Sequence, residues 1–528
     1  MSRGTTAGSG PSRDVLGLLG LMLVAAGIRA VAWSRTAVLF NDGPIFLALA
    51  EALADGRLSD VLAHPYHPLY PAAIALAAVG PIQLETAAIG VSIAGGLLSV
   101  GAIFWFVRSA FDRDAAWLAA WLVALHPWAV DFSADVMSDG LYSGFFLVGF
   151  AAMASAVARP TIGSVALCAV AGGLAYLVRP EGVGLPILAA MLLAARALVE
   201  PGMRVPVARG LVVLAAVSLL LVGPFVAGVA RETGELVLTQ KKSITNLAAG
   251  VGTPARLAPS VRRDGLRKPL PLPEFAIRVD GPGQRKPKRS PLGVLETVGR
   301  VGSTSLAAFR YELALFALLG LWSLRGRMSL WREGTVGLSI VAYSVVLMLL
   351  VWGAGYVSRR HALAAWLPAV AFAAVGWRWL CGALASWAAV RGWTRLARLD
   401  QPRVVCLMLL IVLAVVWVPR DLRERRADRA PVRAAARWLA DHHSNSGAVA
   451  AQKLRTAYYA EADYVPLPSG LDGKLETHIR RQRARWVVID EVKLVDHCGL
   501  EEGVGRWLRR VHVASVANRS AWVLEVVQ

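Results

Sequence analysis

Long apolar runs, separated by short arginine-rich connections, recur along this chain from residue 15 to residue 418. A helix needs about 20 apolar residues to cross the hydrocarbon core of a membrane. Backbone N–H and C=O groups in that core must be paired within the protein, which a helix achieves. The composition agrees, since 56% of the residues are hydrophobic, too many for an ordinary soluble chain. The sequence therefore predicts an α-helical polytopic membrane protein.

Eleven runs fit membrane spans. The predicted spans are residues 15–33, 86–107, 115–132, 140–156, 164–178, 182–195, 211–230, 306–321, 335–352, 362–377 and 404–418. The apolar stretch 69–80 is too short to cross the membrane and begins beside prolines. We expect it to form a partly embedded or re-entrant helix.

The distribution of Lys and Arg predicts the orientation. With the N-terminal tail 1–13 in the cytoplasm, the short cytoplasmic connections carry 16 basic residues and the opposite short connections carry 5. A cytoplasmic excess of basic residues sets the topology, so the C-terminus is expected on the extracytoplasmic side. The expected location is the cytoplasmic (inner) membrane. The net charge of +20 then reflects topology rather than nucleic-acid binding, because the basic residues are scattered and lack interleaved aromatic side chains.

The chain divides into a membrane domain, 14–420, and a soluble domain, 421–528. The membrane domain is expected to contain a first extracytoplasmic loop, 34–85, and a basic, Pro-rich loop, 231–303, which we expect to be mobile. The soluble domain alternates in pattern: a helix at 430–442, a strand at GAVAAQ, a helix and strand in HIRRQRARWVVIDE, and a strand at RSAWVLEVV. This predicts a small extracytoplasmic α/β domain.

Polar groups are costly near membrane depth, so those gathered at one face are candidates for function. Asp42 follows the first span in NDGPIFLALAEAL, where a helix N-cap is the competing explanation. His64, His67 and Tyr70 lie in a rigid Pro-rich turn, where an interfacial aromatic anchor is the alternative. Asp139 belongs to a series with Asp131 and Asp135 whose spacing of four predicts one shared helical face, although a solvated helix entry also accounts for it.

The remaining candidates are mostly basic. Arg179 and Glu181 share a tight turn, where a mutual ion pair is the structural alternative. Two adjacent arginines on the non-cytoplasmic side oppose the charge rule, so an anionic ligand is expected there, since a guanidinium suits phosphate. These are Arg359 and Arg360, followed by His361. Lys241 and Lys242 follow the seventh predicted span. They either add positive charge to this site or only extend their ammonium groups to the membrane interface.

The order of these motifs resembles a known family. NDGPIFLALAEAL, HPYHPLYP, DFSADVMSDGLY, LVRPEG and YVSRRHALAAWLP follow one another between residues 14 and 375. This series resembles the C-type-fold membrane glycosyltransferases, in the branch of protein O-mannosyltransferases and lipid A aminoarabinose transferases. One departure is that many relatives carry Asp-Glu where this chain has Asp42-Gly43, so no role of the second carboxylate transfers to this chain.

The resemblance implies a membrane glycosyltransferase that takes a sugar from a polyprenyl-phosphate donor and passes it to a lipid, glycan or protein acceptor. It implies Asp42 as the catalytic base. The expected donor-phosphate ligands are Arg360, Arg359, Arg179, Lys241 and Lys242. The expected substrate-binding residues are His64, His67, Tyr70, Asp139, Glu181 and His361. No nucleotide or redox cofactor is expected; a divalent cation stays possible, although no metal ligand set is identified. A transporter or flippase of a lipid-linked or anionic substrate is the main rival.

Overall fold

The computed structural model describes residues 11–240, 293–354, 356–391, 401–443, 447–467 and 475–527. Helices form almost all of the described chain up to residue 421, and a five-stranded sheet with its own helices follows. The helices of the first part are α1 (Pro11–Ser34), α2 (Gly43–Ala54), α3 (Leu58–Leu62), α4 (Leu69–Ala77), α5 (Leu84–Ala110), α6 (Arg113–Ala124), α7 (Pro127–Ser133), α8 (Asp139–Ala158), α9 (Ile162–Val178), α10 (Gly184–Val199), α11 (Arg204–Thr233), α12 (Val294–Phe309), α13 (Tyr311–Leu324), α14 (Glu333–Ala354), α15 (Arg359–Trp366), α16 (Val370–Val390) and α17 (Gln401–Asp421).

All eleven predicted spans lie on these helices, but they are not all equally suited to cross a membrane. Within the described residues, seven helices are long and apolar enough, or up to nine if each of two bent pairs is one span. Two predicted spans are not among these helices. Helix α9 is apolar but only 17 residues long, and α17 is not counted either. The chain is therefore a multi-pass membrane protein. The stretch expected to be re-entrant forms the short helix α4.

Two predicted spans, residues 115–132 and 306–321, are each formed by a bent pair of helices. Helices α6 and α7 meet at 56°, where His126-Pro127 interrupts the run, because proline cannot continue the helical hydrogen bonds. Helices α12 and α13 meet at 95° at Arg310, whose φ of 73° is left-handed. Glu312 just after this bend accepts hydrogen bonds from Arg310 Nε and Trp417 Nε1, both at 2.8 Å. Hydropathy alone did not reveal either bend.

Small residues let α5 and α8 pack closely. A Cβ built on Gly95 would lie 2.4 Å from the Cα of Leu141, and one on Gly144 would lie 2.6 Å from the carbonyl oxygen of Gly95. Close backbone approach through glycine is typical of packed membrane helices. There, van der Waals contacts hold the helices together, because the hydrophobic effect does not favour helix association within lipid. This packing fixes the start of α8, where Asp139 lies.

The basic connections predicted to share the cytoplasmic side meet at one end of the bundle. Asp14 at the start of α1 pairs with Arg108 and Arg113 between α5 and α6. Arg378 of α16 pairs with Asp112 in the same connection. Asp42 lies beyond the other end of α1, as does the soluble domain, which contacts residues 35–39. The chain therefore starts at one end of the bundle and enters the soluble domain at the other end, which requires an odd number of membrane crossings.

The soluble domain is an α/β unit, as the alternation predicts. Its strands are β1 (Ala448–Ala451), β2 (Asp463–Pro466), β3 (Ala484–Asp490), β4 (Leu508–Val516) and β5 (Arg519–Val526), in the order β2-β1-β3-β5-β4. Strands β1, β2 and β3 are parallel, and β5 runs antiparallel to β3 and β4. Its helices are α18 (Ala430–His442), α19 (Leu454–Tyr459), α20 (Leu475–Arg481) and α21 (Cys498–Gly503). The sequence patterns missed β2 and β4.

Candidate active site

Asp42 occupies the N-cap position of α2 but does not cap it. Its backbone is in the right-handed helical region, and its carboxylate makes no capping hydrogen bond. Pro44 lies in the first turn of α2, where its missing N–H costs nothing. The Asp42 carboxylate is therefore available, and Oδ2 lies 3.1 Å from Nη1 of Arg360.

Arg360 joins two carboxylates from distant parts of the chain. Besides Asp42, its Nη2 lies 3.3 Å from Oδ2 of Asp139, the first residue of α8. The planar guanidinium offers several donors in fixed directions, so it can hold both acids at once. The ring of Phe40 lies beneath it, with 4.9 Å between the ring centroid and Arg360 Cζ.

A second arginine lies behind this pair. Arg179 Nη1 donates to Asp139 Oδ1, and Arg179 Nε lies 3.5 Å from Glu181. The turn that presents both residues begins at Pro180, and a Cβ on Gly182 would lie 2.2 Å from the Tyr176 nitrogen, so the turn needs glycine there. Burial of Arg179 opposes its charged form, but Asp139 and Glu181 outweigh burial and raise its pKa.

Five side chains thus form what we call the Asp42–Arg360 cluster: Asp42, Asp139, Arg179, Glu181 and Arg360. Exposure divides it into two layers. The side chains of Asp42 and Arg360 are 23% and 20% exposed, whereas those of Asp139 and Arg179 are 4% and 5% exposed. Asp42 and Arg360 are thus partly open to solvent, as is Glu181 at 22%, whereas Asp139 and Arg179 are enclosed behind them.

Tyr66 is a member of the site that the motif analysis missed. Its side chain hydrogen-bonds the Asp42 carboxylate, and burial together with Asp42 raises its pKa, so the phenol stays neutral. The ring stacks on Phe46 of α2, with centroids 5.0 Å apart. Tyr66 lies in the same HPYHPLYP turn as the predicted residues His64, His67 and Tyr70, so the turn itself was the available signal.

His64 supports Tyr66 rather than lining the cluster. Its Nδ1 accepts a hydrogen bond from the Tyr66 backbone N–H at 3.1 Å. Its Nε2 is buried and has no hydrogen-bond partner within the described chain. Burial lowers the pKa of His64 to about 4, so at neutral pH the imidazole is uncharged and Nδ1 is free to accept.

The other two residues of the turn are buried among helices. His67 contacts the Tyr176 carbonyl oxygen at 2.6 Å through Nδ1 and Thr239 Oγ1 at 3.3 Å through Nε2. Tyr70 Oη lies 2.7 Å from Ser92 Oγ. These contacts tie the turn to α5 and α9, and neither side chain is exposed by more than 2%.

The two neighbours of Arg360 have different surroundings. Arg359 lies over the Trp128 ring, with Cζ 4.5 Å from the centroid, and not in the cluster. His361 Nδ1 accepts from the Ser358 backbone N–H at 3.4 Å and contacts Ser358 Oγ at 3.1 Å, which caps α15. The cap starts the helix so that Arg360 lies in its first turn.

The three carboxylates with spacing four do not share a helical face, which corrects the sequence prediction. Helix α7 ends at Ser133 and α8 begins at Asp139, so the chain between them is not helical. Asp131 pairs with Arg425 at 3.3 Å, whereas Asp135 pairs with Arg426. Only Asp139 reaches the cluster. Lys241 and Lys242 lie outside the described residues, as does most of the basic loop.

The soluble domain holds the segment that leads to Asp42. The carbonyl oxygens of this segment accept from three arginines: Ala37 from Arg433 at 2.6 Å, Val38 from Arg426 at 2.8 Å and Leu39 from Arg455 at 3.0 Å. The Leu39 N–H donates to Tyr459 Oη at 2.8 Å, and the Phe40 N–H donates to Asp135 at 3.3 Å. Consecutive peptide groups are thus fixed just before the candidate base.

The described residues include no group of three or more His, Cys, Asp and Glu side chains arranged to hold a metal ion. In the Asp42–Arg360 cluster, the carboxylates of Asp42, Asp139 and Glu181 are already engaged by arginines.

Part of the chain matches a known family in sequence. Residues 63–227 match the sequence profile of the dolichyl-phosphate-mannose-protein mannosyltransferase family. This range includes the His-Pro turn, Asp139, Arg179 and Glu181, but not Asp42 or Arg360. None of the curated protein sequences is a match for the chain.

Solved structures match over almost the whole length. ArnT of Cupriavidus metallidurans, bound to undecaprenyl phosphate, is 13% identical with a TM-score of 0.59 and covers 98% of this chain and 99% of its own. The apo oligosaccharyltransferase of Archaeoglobus fulgidus is 14% identical with a TM-score of 0.56, over 90% of this chain and 70% of its own. Another structure of that enzyme contains zinc and sulfate. At such low identity the likeness shows a shared fold, which confirms the predicted fold class.

Proposed function

We propose that this chain, a membrane glycosyltransferase of the C-type fold, transfers a sugar from a polyprenyl-phosphate donor to an acceptor hydroxyl. The observation that carries the proposal is the contact between Asp42 and Arg360, a candidate base and a candidate phosphate ligand held 3.1 Å apart at the end of the bundle. The family profile and the ArnT structure with bound undecaprenyl phosphate support the donor class.

Asp42 acts as the general base in this proposal. The acceptor oxygen forms a bond to the anomeric carbon while the bond from that carbon to the donor phosphate oxygen breaks, and the hydroxyl proton passes to Asp42. A positioned carboxylate contributes roughly 10²–10⁴-fold to such a step. Direct displacement inverts the anomeric centre, so we propose inversion.

Arg360 stabilises the departing phosphate. Before the reaction its charge is shared by Asp42 and Asp139. Once Asp42 takes the proton, its attraction for Arg360 falls, and the guanidinium can turn to the charge that develops on the phosphate. Fixed cations aimed at developing charge stabilise a transition state strongly in a water-poor site. Proton transfer to Asp42 thus releases Arg360 to stabilise the phosphate, because the two side chains are in direct contact.

The described cluster has three carboxylates against two guanidinium groups. Arg179 is enclosed by Asp139 and Glu181, and its Cζ lies 5.6 Å from the Tyr142 ring centroid. We therefore propose Arg179 as a residue that positions Asp139, and leave direct contact with the donor phosphate to Arg360.

We propose that this site and the soluble domain face the extracytoplasmic side of the inner membrane. The excess of arginine in the connections at the opposite end of the bundle supports this orientation. The contacts of the soluble domain with residues 37–39 place it at the same end as Asp42. The acceptor is then a lipid, glycan or protein exposed at that surface, next to membrane lipids.

Transfer of radiolabelled sugar from a panel of polyprenyl-phosphate-linked hexoses and pentoses tests the proposal. Membranes would contain wild type, Asp42→Asn or the control Asp55→Asn, whose carboxylate is 56% exposed in the same loop. We expect transfer by wild type and the control, and loss of about 10²-fold or more in Asp42→Asn. Equal transfer by Asp42→Asn would remove Asp42 as the base. Absence of transfer from every donor would contradict the proposed function.

Inversion has its own test. NMR of the product anomeric proton, compared with that of the donor, should show the opposite configuration. Retained configuration would refute direct displacement and leave the enzyme class intact.

A further inference from the structure

The soluble domain contains a cleft that the proposed reaction does not use. It has a cavity volume of about 90 Å³ and opens where the carboxyl ends of β1 and β3 meet the start of α18 and Val38 of the membrane domain. Strand β1 lies between β2 and β3 in the sheet. The connection that follows β1 therefore runs to one side, to β2, whereas the connection that follows β3 runs to the other side, to β4 and β5. Crevices at such a change of direction in a parallel sheet are common ligand sites.

Basic side chains dominate this cleft, which we call the basic cleft. Six basic residues line it, against the two carboxylates of Asp428 and Asp490. The basic residues are Arg429, Arg433, Lys453, Arg455, Lys493 and Arg519.

The carboxylates do not balance these cations. Asp428 lies 3.6 Å from Arg429 and 3.9 Å from Arg519. In the described chain, no carboxylate lies within 4.0 Å of Arg433, Lys453 or Arg455. Nε of Arg433 is buried and has no hydrogen-bond partner among the described residues.

Arg455 shows the excess of positive charge most clearly, because the residue is only 5% exposed. Arg455 Nη1 donates a hydrogen bond to the Leu39 carbonyl oxygen, a neutral acceptor. Burial and the neighbouring Arg429 and Arg426 lower its pKa to about 10. Asp135 acts on Arg455 only from beyond ion-pair distance. A buried guanidinium with no carboxylate of the described residues in direct contact is unfavourable, and an anion in the cleft would relieve this.

We propose that the basic cleft binds a phosphate- or pyrophosphate-bearing ligand. Several guanidinium and ammonium groups around one crevice suit a group with two or more negative charges and many acceptor oxygens. The N-terminus of α18, a 13-residue helix, adds partial positive charge at Arg429 and Arg433. The ligand is a soluble phosphate compound or the phosphate head group of a lipid.

The basic cleft touches the same segment that leads to Asp42. Val38 lines it, and Arg433 and Arg455 hold the carbonyl oxygens of Ala37 and Leu39. A bound phosphate would compete with these carbonyl oxygens for the two guanidinium groups. The inference itself rests on the charge of the basic cleft and not on the proposed glycosyl transfer.

Calorimetric titration of the full chain with inorganic pyrophosphate tests the site. The protein would be held in nanodiscs of phosphatidylcholine, with acetate as the monovalent comparison. The test variant is Arg429→Gln with Lys453→Gln, since both side chains lie at the surface of the basic cleft. The matched control is Arg485→Gln with Arg509→Gln, which removes the same charge from two arginines that are 58% and 70% exposed outside the basic cleft. Thermal unfolding of each variant confirms that it is folded.

We expect saturable pyrophosphate binding by wild type that the test variant weakens about tenfold or more and the control weakens less than twofold. Acetate should bind far more weakly. Equal weakening in the two variants would show diffuse charge attraction and overturn the proposal, as would absence of saturable binding. Binding without any glycosyl transfer would leave this site in place while the proposed function failed.

A lipid arm identifies the source of the phosphate. Nanodiscs that also contain phosphatidic acid should reduce pyrophosphate affinity in wild type if a lipid head group fills the basic cleft. Unchanged affinity would assign the site to a soluble phosphate compound. In both results the test variant should be insensitive to phosphatidic acid.

Discussion

Arg360 Nη1 donates to Asp42 Oδ2 at 3.1 Å, although the two residues are 318 positions apart in the chain. The contact links the loop after α1 to the first turn of α15. In the proposed mechanism, this contact couples the general base to the phosphate ligand, and mutation can separate the two roles.

Arg360→Gln should reduce kcat/KM for transfer by roughly 10²-fold, because the departing phosphate loses its fixed cation. Arg360→Lys should retain part of the activity, since it keeps the charge without the planar fork. Steady-state transfer rates with a polyprenyl-phosphate sugar measure both. Arg359→Gln is the matched control, because Arg359 lies over Trp128. Similar losses in Arg359→Gln and Arg360→Gln would contradict the assignment.

Asp139→Asn should lower both stability and activity. The carboxylate is 4% exposed between two arginines, and breaking a buried ion pair typically costs about 3–5 kcal/mol. Asp131→Asn removes a carboxylate that is 38% exposed from the same segment and should cost about 1 kcal/mol or less. Thermal unfolding in detergent compares the two variants. A smaller loss in Asp139→Asn than in Asp131→Asn would show that the inner layer does not hold the site.

Tyr66→Phe should lower kcat about tenfold with little change in KM, because the phenol no longer orients the Asp42 carboxylate while the ring still stacks on Phe46. Its melting temperature should stay close to that of wild type. Tyr70→Phe is the comparison, since Tyr70 bonds Ser92 and not Asp42. An unchanged kcat in Tyr66→Phe would remove Tyr66 from the site.

His64 should make stability depend on pH. Its pKa is about 4 in the folded protein and 6.5 ordinarily, so between these values the unfolded chain binds the proton and the folded chain does not. Stability is therefore full above pH 6.5 and falls as the pH drops toward 4, by up to about 3 kcal/mol from this residue. His64→Gln keeps an acceptor for the Tyr66 N–H but does not titrate. Thermal unfolding from pH 4.5 to 7.5 should show a smaller decline in His64→Gln, and parallel curves would contradict this role.

Arg426 and Asp135 should be energetically coupled across the two domains. Arg426 donates to Asp135 and to the Val38 carbonyl oxygen, and Asp135 accepts the Phe40 N–H. Burial raises the pKa of Asp135, although Arg426 opposes the shift. A double-mutant cycle of Arg426→Gln and Asp135→Asn should give a coupling energy of about 1–3 kcal/mol in unfolding. Each single variant should also slow transfer by loosening the segment before Asp42, whereas additive effects would show that the contact contributes nothing.

The amino-acid sequence determined the features that depend on local pattern. Apolar runs of sufficient length predicted which segments are helical, and alternation predicted β1, β3, β5 and α18. The same local reasoning failed where the chain bends within a run, at His126-Pro127 and at Arg310, because hydropathy measures length and composition but not direction. It also failed for Asp131, Asp135 and Asp139, since their spacing implies a shared face only if one helix continues through all three.

The motifs named all five members of the Asp42–Arg360 cluster but not which of them are partners. Asp42, Asp139, Arg179 and Arg360 stood out because charged groups beside apolar runs are costly unless they are used. Which carboxylate meets which arginine was decided by the packing of α8 and α15 and by the turn after α9. Tyr66 and Arg426 could not be distinguished beforehand, because a tyrosine in a turn and an arginine after a span carry no local sign of a partner many positions away. Sequence determines helices through interactions between near neighbours, whereas the site depends on contacts between segments that only the folded bundle brings together.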